Sequence, residues 1–361
     1  MDSETFKILS IDGGGIRGVI PCQILAELEN DIIERDGPDA RLCDYFDLIA
    51  GTSTGGIIAI GIALGIKAQT ILKLYLNHGD EIFPSRNQRK ISKAINILHG
   101  NPFYERARLK ELLREAYEKN SGISDVRIGH ARTRLLIPTY SLTNREIHVL
   151  KTAHSPKLQR DYQIPAVDAA LSTAAAPAYF IPYDFQYNNI GKDGDGSMSK
   201  MVDGGIVANN PAFMALLEAT NCLNIPLENI RLLSIGTGEE KKVCPKKSTE
   251  ITPWFWVNPT NGPMLYEIMA EAQSAQVHNL LNLYKNGIGG EVDDRFLYVR
   301  LQHRFVDNDH IDLDSTSPEN MNLMREVATR IYRHECANIK DNFTSLRKPE
   351  FIPHFKRLSK N

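Results

Sequence analysis

The sequence predicts an α/β protein with a mainly parallel central sheet that is covered by helices on both faces. Three observations predict this class. Short apolar runs end in glycine-rich turns, apolar residues recur every four positions after those turns, and the strand–turn–helix unit then repeats. Strands that alternate with helices in this way form parallel sheets with buried strands.

The first two strand–helix units lie in the N-terminal part of the chain. A strand is predicted at 6–11, and a helix at 19–33 follows the glycines after it. A second strand at 45–50 is followed by a glycine-rich turn and by a helix that begins near Ile57. The two units predict neighbouring parallel strands whose turns meet at one edge of the sheet.

The remaining elements are predicted from shorter signals. Paired strands are expected at 133–140 and 145–151, a helix at 167–176, and a strand at 231–235. The polar segments 187–200 and 239–263 are predicted as surface loops. Beyond them we expect a helix at 264–284, a strand at 296–302 and a helix at 321–342.

Composition narrows the class of protein. The net charge is −2, from 42 basic and 44 acidic residues, which argues against a DNA- or RNA-binding protein. Five cysteines without a CxxC pair argue against disulfides or a zinc site and fit a reducing compartment. The longest apolar stretch, 57–66, is too short to span a bilayer, and the first apolar run is too short for a signal peptide. We therefore expect a cytoplasmic protein whose contact with lipid is peripheral.

The clearest chemical signal is Gly51-Thr-Ser53-Thr54-Gly55, between a predicted strand and a predicted helix. A sharp strand-to-helix turn exposes a serine hydroxyl, and small neighbours tolerate the backbone that this turn requires. The N-terminus of the following helix would also stabilise developing negative charge. Ser53 is therefore a candidate nucleophile; the alternative is a tight turn with a helix N-cap.

The second signal is the glycine-rich turn Asp12-Gly13-Gly14-Gly15-Ile-Arg17-Gly18. Its spacing matches GxGxxG, so dinucleotide binding is one interpretation, but the required acidic residue would fall inside the next helix. We favour a nest of backbone N–H groups that approaches a carbonyl oxygen, with a positive charge from Arg17 nearby. A simple glycine turn with an ion-paired arginine is the third alternative.

A serine nucleophile needs a base, and none of the ten histidines has a recognisable context for that role. Asp203 instead follows a short apolar run and precedes Gly204 and Gly205, so a strand end would direct its carboxylate toward the same edge. An ordinary α/β-hydrolase with a Ser-His-Asp triad remains the rival enzyme. The segment from Asp193 lacks the glutamate of a calcium loop, and His334-Glu335 lacks the second histidine of a zinc site, so no metal is predicted.

The three motifs at residues 12, 51 and 203, in this order, resemble those of the patatin-like phospholipases. The segments that begin at Ser172, Asn209 and Ser234 strengthen the resemblance, which covers residues 6–238. It implies a three-layer α/β/α domain and a serine–aspartate dyad without histidine, metal or cofactor. Residues 239–361 carry no recognisable motif and are expected to form a C-terminal extension packed on this domain.

The resemblance assigns roles by position. Ser53 would be the nucleophile and Asp203 the general base in the hydrolysis of fatty-acyl esters of membrane phospholipids through an acyl-serine. Oxyanion donors are expected at Gly14 and Gly15, with Gly13 and Thr54 as further donors. The expected supporting residues are Asp12, Arg17, Gly18, Gly51, Gly55, Gly204 and Gly205. Because an aspartate is normally a weak base, burial would have to raise its pKa, whereas Arg17 would lower it.

Partners are suggested by weaker signals. Segment 81–134 has twelve Lys or Arg residues against six Asp or Glu residues, which suits anionic lipid headgroups or a solvated helix face. Trp254-Phe255-Trp256 suits an interfacial anchor, a lid or a buried contact. For bacterial family members, the resemblance also implies activation by a cyclic dinucleotide in antiviral defence. The oligomeric state is left open.

Overall fold

The structure is a computed structural model, and it describes residues 5–83, 106–177, 179–190, 194–240, 251–252, 256, 264–286, 296–305, 311 and 313–355. Within these residues no helix combines the length and the apolar character needed to cross a membrane.

A mixed sheet forms the centre of the molecule. Its strands are β1 (Phe6–Ile11), β2 (Leu48–Gly51), β3 (Arg134–Ser141), β4 (Glu146–Lys151), β5 (Tyr183–Asn188), β6 (Asp195–Asp203), β7 (Ile230–Ile235) and β9 (Leu297–Leu301), while β8 (Glu239–Glu240) pairs separately with β10 (Arg304–Phe305). The order is β5-β6-β3-β2-β1-β7-β9, and β4 also pairs with β3. The run from β3 to β9 is parallel, whereas β4, β5 and β6 are antiparallel additions.

Helices lie between these strands in the chain. They are α1 (Val19–Asp36), α2 (Thr54–Ala63), α3 (Ala68–Ile82), α4 (Ala107–Ser121), α5 (Ala166–Thr173), α6 (Gly205–Ala208), α7 (Ala212–Leu217), α8 (Met264–Asn286) and α9 (Pro318–Ile339). Helix α2 is buried along its whole length, because its apolar sequence is enclosed by β2, β3, α3 and α5.

The core divides at the sheet. Leu9 and Ile11 of β1 belong to a large apolar cluster with α1, α2 and α3. Phe6 and Ile8, which point to the opposite face, belong to a second cluster with α7 and Leu281 of α8. This two-sided burial confirms the predicted α/β class with a mainly parallel sheet between helical layers.

One predicted loop is wrong. Residues 187–200, predicted as a polar surface loop, instead contain the end of β5 and much of β6, which form an antiparallel hairpin. The hairpin lies at the sheet edge and buries alternate residues of β5, including Phe185 and Tyr187, while the others face solvent. A polar strand with one solvated face lacks the continuous apolar run by which the central strands were recognised.

The C-terminal third contributes to the same sheet. Strand β9 pairs in parallel with β7 over 231–235, and α9 packs along α1. The predicted loop 239–263 lies mostly outside the described residues, as do Trp254, Phe255 and residues 84–105 of the basic segment. Trp256 is described, and its side chain is 37% exposed.

Candidate active site

Ser53 lies at the sharp turn between β2 and α2. Its backbone has φ 54° and ψ −125°, a conformation that non-glycine residues rarely adopt and that commonly marks functional sites. The Ser53 N–H donates to Thr173 Oγ1 at 3.1 Å, and the Thr173 hydroxyl donates to the Pro138 carbonyl at 2.7 Å. The turn is therefore held from outside by a residue of α5.

Asp203 is the last residue of β6 and is fully buried. It lies opposite Thr139 of β3, and β3 pairs with β2, so the sheet brings the carboxylate to the end of β2. Ser53 Oγ donates to Asp203 Oδ2 at 2.7 Å across 150 positions of sequence. The second oxygen, Oδ1, accepts the Gly205 N–H at 2.6 Å.

The electrostatics of Asp203 are dominated by its burial. Desolvation raises the pKa of this carboxyl to about 7, against the opposing effect of hydrogen bonds from Ser53, Gly205 and Tyr266. Arg17 lines the same pocket, but the net shift is upward, because desolvation outweighs the effects that lower the pKa. A carboxylate with a pKa near neutrality is a much better proton acceptor than an ordinary aspartate.

The glycine-rich turn lies beside this pair. The N–H groups of Gly14 and Gly15 make no hydrogen bond to any described residue, and both residues line the pocket that contains Ser53. Gly15 has φ 57°, and a Cβ there would lie 2.3 Å from the Leu313 carbonyl oxygen, so only glycine fits. The Gly13 N–H instead donates to the Asn209 carbonyl at 3.0 Å, which leaves Gly14 and Gly15 as the donors that this turn offers.

Thr54 begins helix α2 and also lines the pocket. Its N–H has no hydrogen bond to a residue in the described ranges, and its hydroxyl lies 2.6 Å from the Tyr75 hydroxyl. The positive end of the α2 dipole thus faces the space next to Ser53.

The predicted supporting residues surround the same turn regions. Gly18 ends the short 3-10 helix Gly15–Gly18, Gly51 ends β2, Gly55 lies in the first turn of α2, and Gly204 and Gly205 follow Asp203. Gly55 permits a close approach, because a Cβ there would lie 2.4 Å from the Ile11 carbonyl oxygen.

Asp12 forms a buried ion pair with a residue that the sequence reasoning missed. Its two oxygens accept from Arg300 Nη1 at 2.8 Å and Nη2 at 2.6 Å, and Ser274 Oγ donates to Oδ2 at 2.9 Å. Arg300 lies on β9 and Ser274 on α8, so the segment without motifs anchors the glycine-rich turn. A lone arginine in a strand gives no sequence signal of this role.

An apolar pocket opens at the pair. Its empty space, including open solvent at the mouth, is about 720 Å³. Ser53, Arg17 and the glycine turn form one wall, and apolar side chains form most of the rest, namely Ile57, Phe83, Leu109, Ala174, Ala176, Tyr179, Phe180, Ala270 and Leu313. The lining suits an uncharged apolar group.

Among the described residues, no histidine lines this pocket. His154 does have a carboxylate partner, Glu218, at 2.8 Å, and its other nitrogen lies 2.9 Å from the Thr152 hydroxyl. This arrangement looks like a triad, but Thr152 and His154 are buried away from every described cavity, and burial lowers the pKa of His154. The His154 cluster is a buried polar network of the fold.

The fold and the site define a class. It is an α/β protein in which a serine–carboxylate pair, and glycine amides that bond to no described residue, lie beside the carboxyl ends of the parallel strands β1 and β2, where α/β proteins bind their ligands. The family model for the patatin-like phospholipases matches residues 9–216, more than half of the chain. The protein belongs to this family, which supports a lipid hydrolase.

Two sequence relatives agree with this assignment, and one solved structure was also compared. Patatin-like protein 2 of Arabidopsis thaliana is 29% identical over 358 residues, covering 92% of this chain and 84% of its own. A cGAMP-activated phospholipase of Vibrio cholerae is 35% identical over 249 residues, covering 66% of each chain. The crystal structure of VipD from Legionella pneumophila aligns over 92% of this chain and 67% of VipD, with 12% identity and a TM-score of 0.42.

Proposed function

We propose that the protein is a phospholipase A-type acyl hydrolase that uses Ser53 as nucleophile and Asp203 as general base. The observation that carries the proposal is the 2.7 Å hydrogen bond between Ser53 Oγ and a buried carboxylate, inside an apolar pocket. A base must lie within hydrogen-bond reach of the proton that it removes, and this geometry meets that condition.

The chemistry begins when Ser53 Oγ attacks the ester carbonyl carbon and its proton passes to Asp203 Oδ2. The oxyanion that forms would accept hydrogen bonds from the N–H groups of Gly14, Gly15 and Thr54. As the ester C–O bond breaks, the proton moves from Asp203 to the departing lysolipid oxygen, and an acyl-Ser53 remains. Water then gives a proton to Asp203 as its oxygen attacks the acyl carbon. The bond between the acyl carbon and Ser53 Oγ breaks, the proton passes from Asp203 to Ser53 Oγ, and the fatty acid leaves.

We expect the rim of the pocket to contact the membrane. Helix α8 places Glu267, Ala270 and Glu271 in the pocket lining, and its neighbouring residues Leu265 and Met269 are 46% and 48% exposed. Apolar side chains that surround the mouth of a lipid site can enter the interfacial layer of a bilayer. This supports peripheral action on membrane phospholipids.

Activation by cGAMP is the regulatory part of the proposal. It is supported by relatives from Vibrio cholerae and Escherichia coli whose names state this activation, and it would make the protein an effector of antiviral defence. The alternative is a lipase that acts without a cyclic dinucleotide; the match to a plant patatin-like protein extends over more of the chain than the bacterial matches do.

The test is fatty-acid release from phosphatidylglycerol–phosphatidylethanolamine vesicles, with and without cGAMP. We expect release by the wild type and loss of at least about a thousandfold in Ser53→Ala and Asp203→Asn. A His154→Ala variant serves as the matched control for the triad alternative. Loss of turnover in this control equal to that in Ser53→Ala, after its folding has been verified, would favour a histidine mechanism. Equal rates with and without cGAMP would remove the regulatory part alone.

A further inference from the structure

Helix α8 contacts two of the three segments that build the candidate site, namely the Asp203 segment and the glycine-rich turn. Tyr266 hydrogen bonds to the Asp203 carboxylate, and Gln273 binds the segment after Asp203, accepting from the Asn209 N–H at 3.3 Å and donating to the Ile206 carbonyl at 3.0 Å. The Ser274 contact to Asp12 reaches the glycine-rich turn. Positions 266, 273 and 274 are seven and eight residues apart, so they share one face of the helix.

The Tyr266 hydroxyl occupies the space beside the carboxylate. A Cβ at Gly205 would lie 2.4 Å from the Tyr266 oxygen and 2.9 Å from Asp203 Oδ1, so the glycine of the Asp-Gly-Gly motif leaves room for this hydroxyl. Tyr266 also lines the pocket in which Ser53 lies. This proximity agrees with the hydrogen bond from Tyr266 to the carboxylate, which makes Tyr266 the third partner of Asp203, after Ser53 and Gly205.

The groups around Asp203 show in which direction the Tyr266 hydroxyl shifts the pKa of the carboxyl. The carboxylate accepts three hydrogen bonds, and each of them lowers its pKa. The donors are Ser53 at the nucleophile turn, Gly205 of α6 and Tyr266 of α8. Among the described residues, the charged ones that line the same pocket are Arg17, Glu267 and Glu271. Burial keeps the pKa of Tyr266 well above its ordinary value, so the hydroxyl remains a donor over the working pH range.

We propose that Tyr266 is a positioning residue, which holds the Asp203 carboxylate toward Ser53 in its ionised form, and that the docking of helix α8 thereby sets the strength of the base. The inference rests on the proposed dyad. It assigns helix α8, which lies in the part of the chain without motifs, a role in positioning the base.

The test is a Tyr266→Phe variant, with Tyr284→Phe as the control at an exposed tyrosine of the same helix. The rate at which a fluorophosphonate probe labels Ser53 is measured from pH 5.5 to 9.5, together with kcat and KM for a water-soluble ester. The labelling rate should fall on the acid side as Asp203 becomes protonated, and the pH at half-maximal labelling is the acid midpoint. Loss of one hydrogen bond to the charged carboxylate should raise this midpoint by about one pH unit. From a midpoint near 7, labelling at pH 7 then falls about fivefold and recovers by pH 9.

Three outcomes decide the matter. A midpoint that moves up in Tyr266→Phe with KM unchanged, and stays in place in Tyr284→Phe, supports the positioning role. An unchanged midpoint, whether labelling is normal or is reduced equally at every pH, overturns it. Labelling of the wild type that persists in Ser53→Ala, or a wild type that is not labelled with or without cGAMP, refutes the proposed dyad and the inference with it.

Discussion

Replacing Asp203 with asparagine should stabilise the protein, and the gain should increase as the pH rises toward 7. The substitution keeps the size of the side chain and an oxygen that accepts the Gly205 N–H, while its amide group can donate to Ser53 Oγ. What it removes is the need to ionise a group that has no access to solvent.

The magnitude follows from the pKa of the buried carboxyl. An aspartate with an ordinary pKa of 3.8 in the unfolded chain and about 7 in the folded protein is destabilising by about 4 kcal/mol above pH 7, at 1.36 kcal/mol per pKa unit. The folded-state pKa is raised, so the folded protein binds the extra proton between pH 4 and 7. The stability of the wild type that depends on this carboxyl is therefore fully present below pH 4, decreases between pH 4 and 7, and is lost above pH 7.

The assay is denaturant unfolding of the wild type and Asp203→Asn at intervals between pH 4 and 8.5. The difference in unfolding free energy should be smallest near pH 4 and reach its plateau above pH 7. Asp184→Asn is the control, because hydrogen bonds from Ser199 and Lys200 lower the pKa of this exposed carboxyl. Removing the Asp184 carboxyl should therefore lower the free energy of unfolding near neutral pH, the opposite of the change expected for Asp203→Asn. A difference for Asp203→Asn that does not change with pH would refute the raised pKa.

Three further predictions concern strain, the buried ion pair and the membrane rim. Ser53→Gly should be more stable than Ser53→Ala by about 1 kcal/mol in thermal unfolding, because glycine adopts positive φ without strain; equal stability would argue against a strained turn. Arg300→Met should lower the free energy of unfolding by about 3–5 kcal/mol, because it leaves the Asp12 carboxylate buried without its ion pair. Adding Asp12→Asn should restore part of this loss, and a double variant no more stable than the single one would contradict the reasoning. Met269→Ser should reduce sedimentation with anionic vesicles severalfold, whereas Leu283→Ser, at the far end of α8, should not; equal effects would argue against a localised rim.

The parts of the molecule that were predictable from sequence share one property: their signal is local. The strand, glycine turn and helix at residues 6–33 follow from apolar runs and periodicity, and the structure has β1 and α1 at these positions. Ser53 was recognisable because small residues surround it at a strand-to-helix junction, and Asp203 because two glycines follow a short apolar run. In both cases the residues next to the candidate in the sequence indicate the turn that presents its side chain.

The parts that were missed depend on contacts between distant segments. Arg300 is 288 positions from Asp12, and Tyr266 is 63 positions from Asp203, so no local pattern reveals either pair. A partial signal did exist in α8, where Tyr266, Ala270 and Ser274 recur every four residues as a stripe of small and polar groups. That stripe indicates a face that packs closely, but it does not identify the partner.

The same distinction explains why the pKa of Asp203 could not be predicted. The sign depends on whether burial or a positive charge dominates, and the sequence places both an apolar run and Arg17 near the site. In the fold, β6 ends beneath α6 and α8, so desolvation dominates.

The covalent intermediate offers the most direct test of the Ser53–Asp203 pair. The protein is treated with a fluorophosphonate, or trapped by acid during turnover of a phospholipid, and the modified peptide is mapped by mass spectrometry. We expect a single adduct on Ser53 that forms in the wild type and is lost in Asp203→Asn at neutral pH. An adduct on another residue, or one on Ser53 that forms equally fast without the carboxylate, would contradict the proposed mechanism.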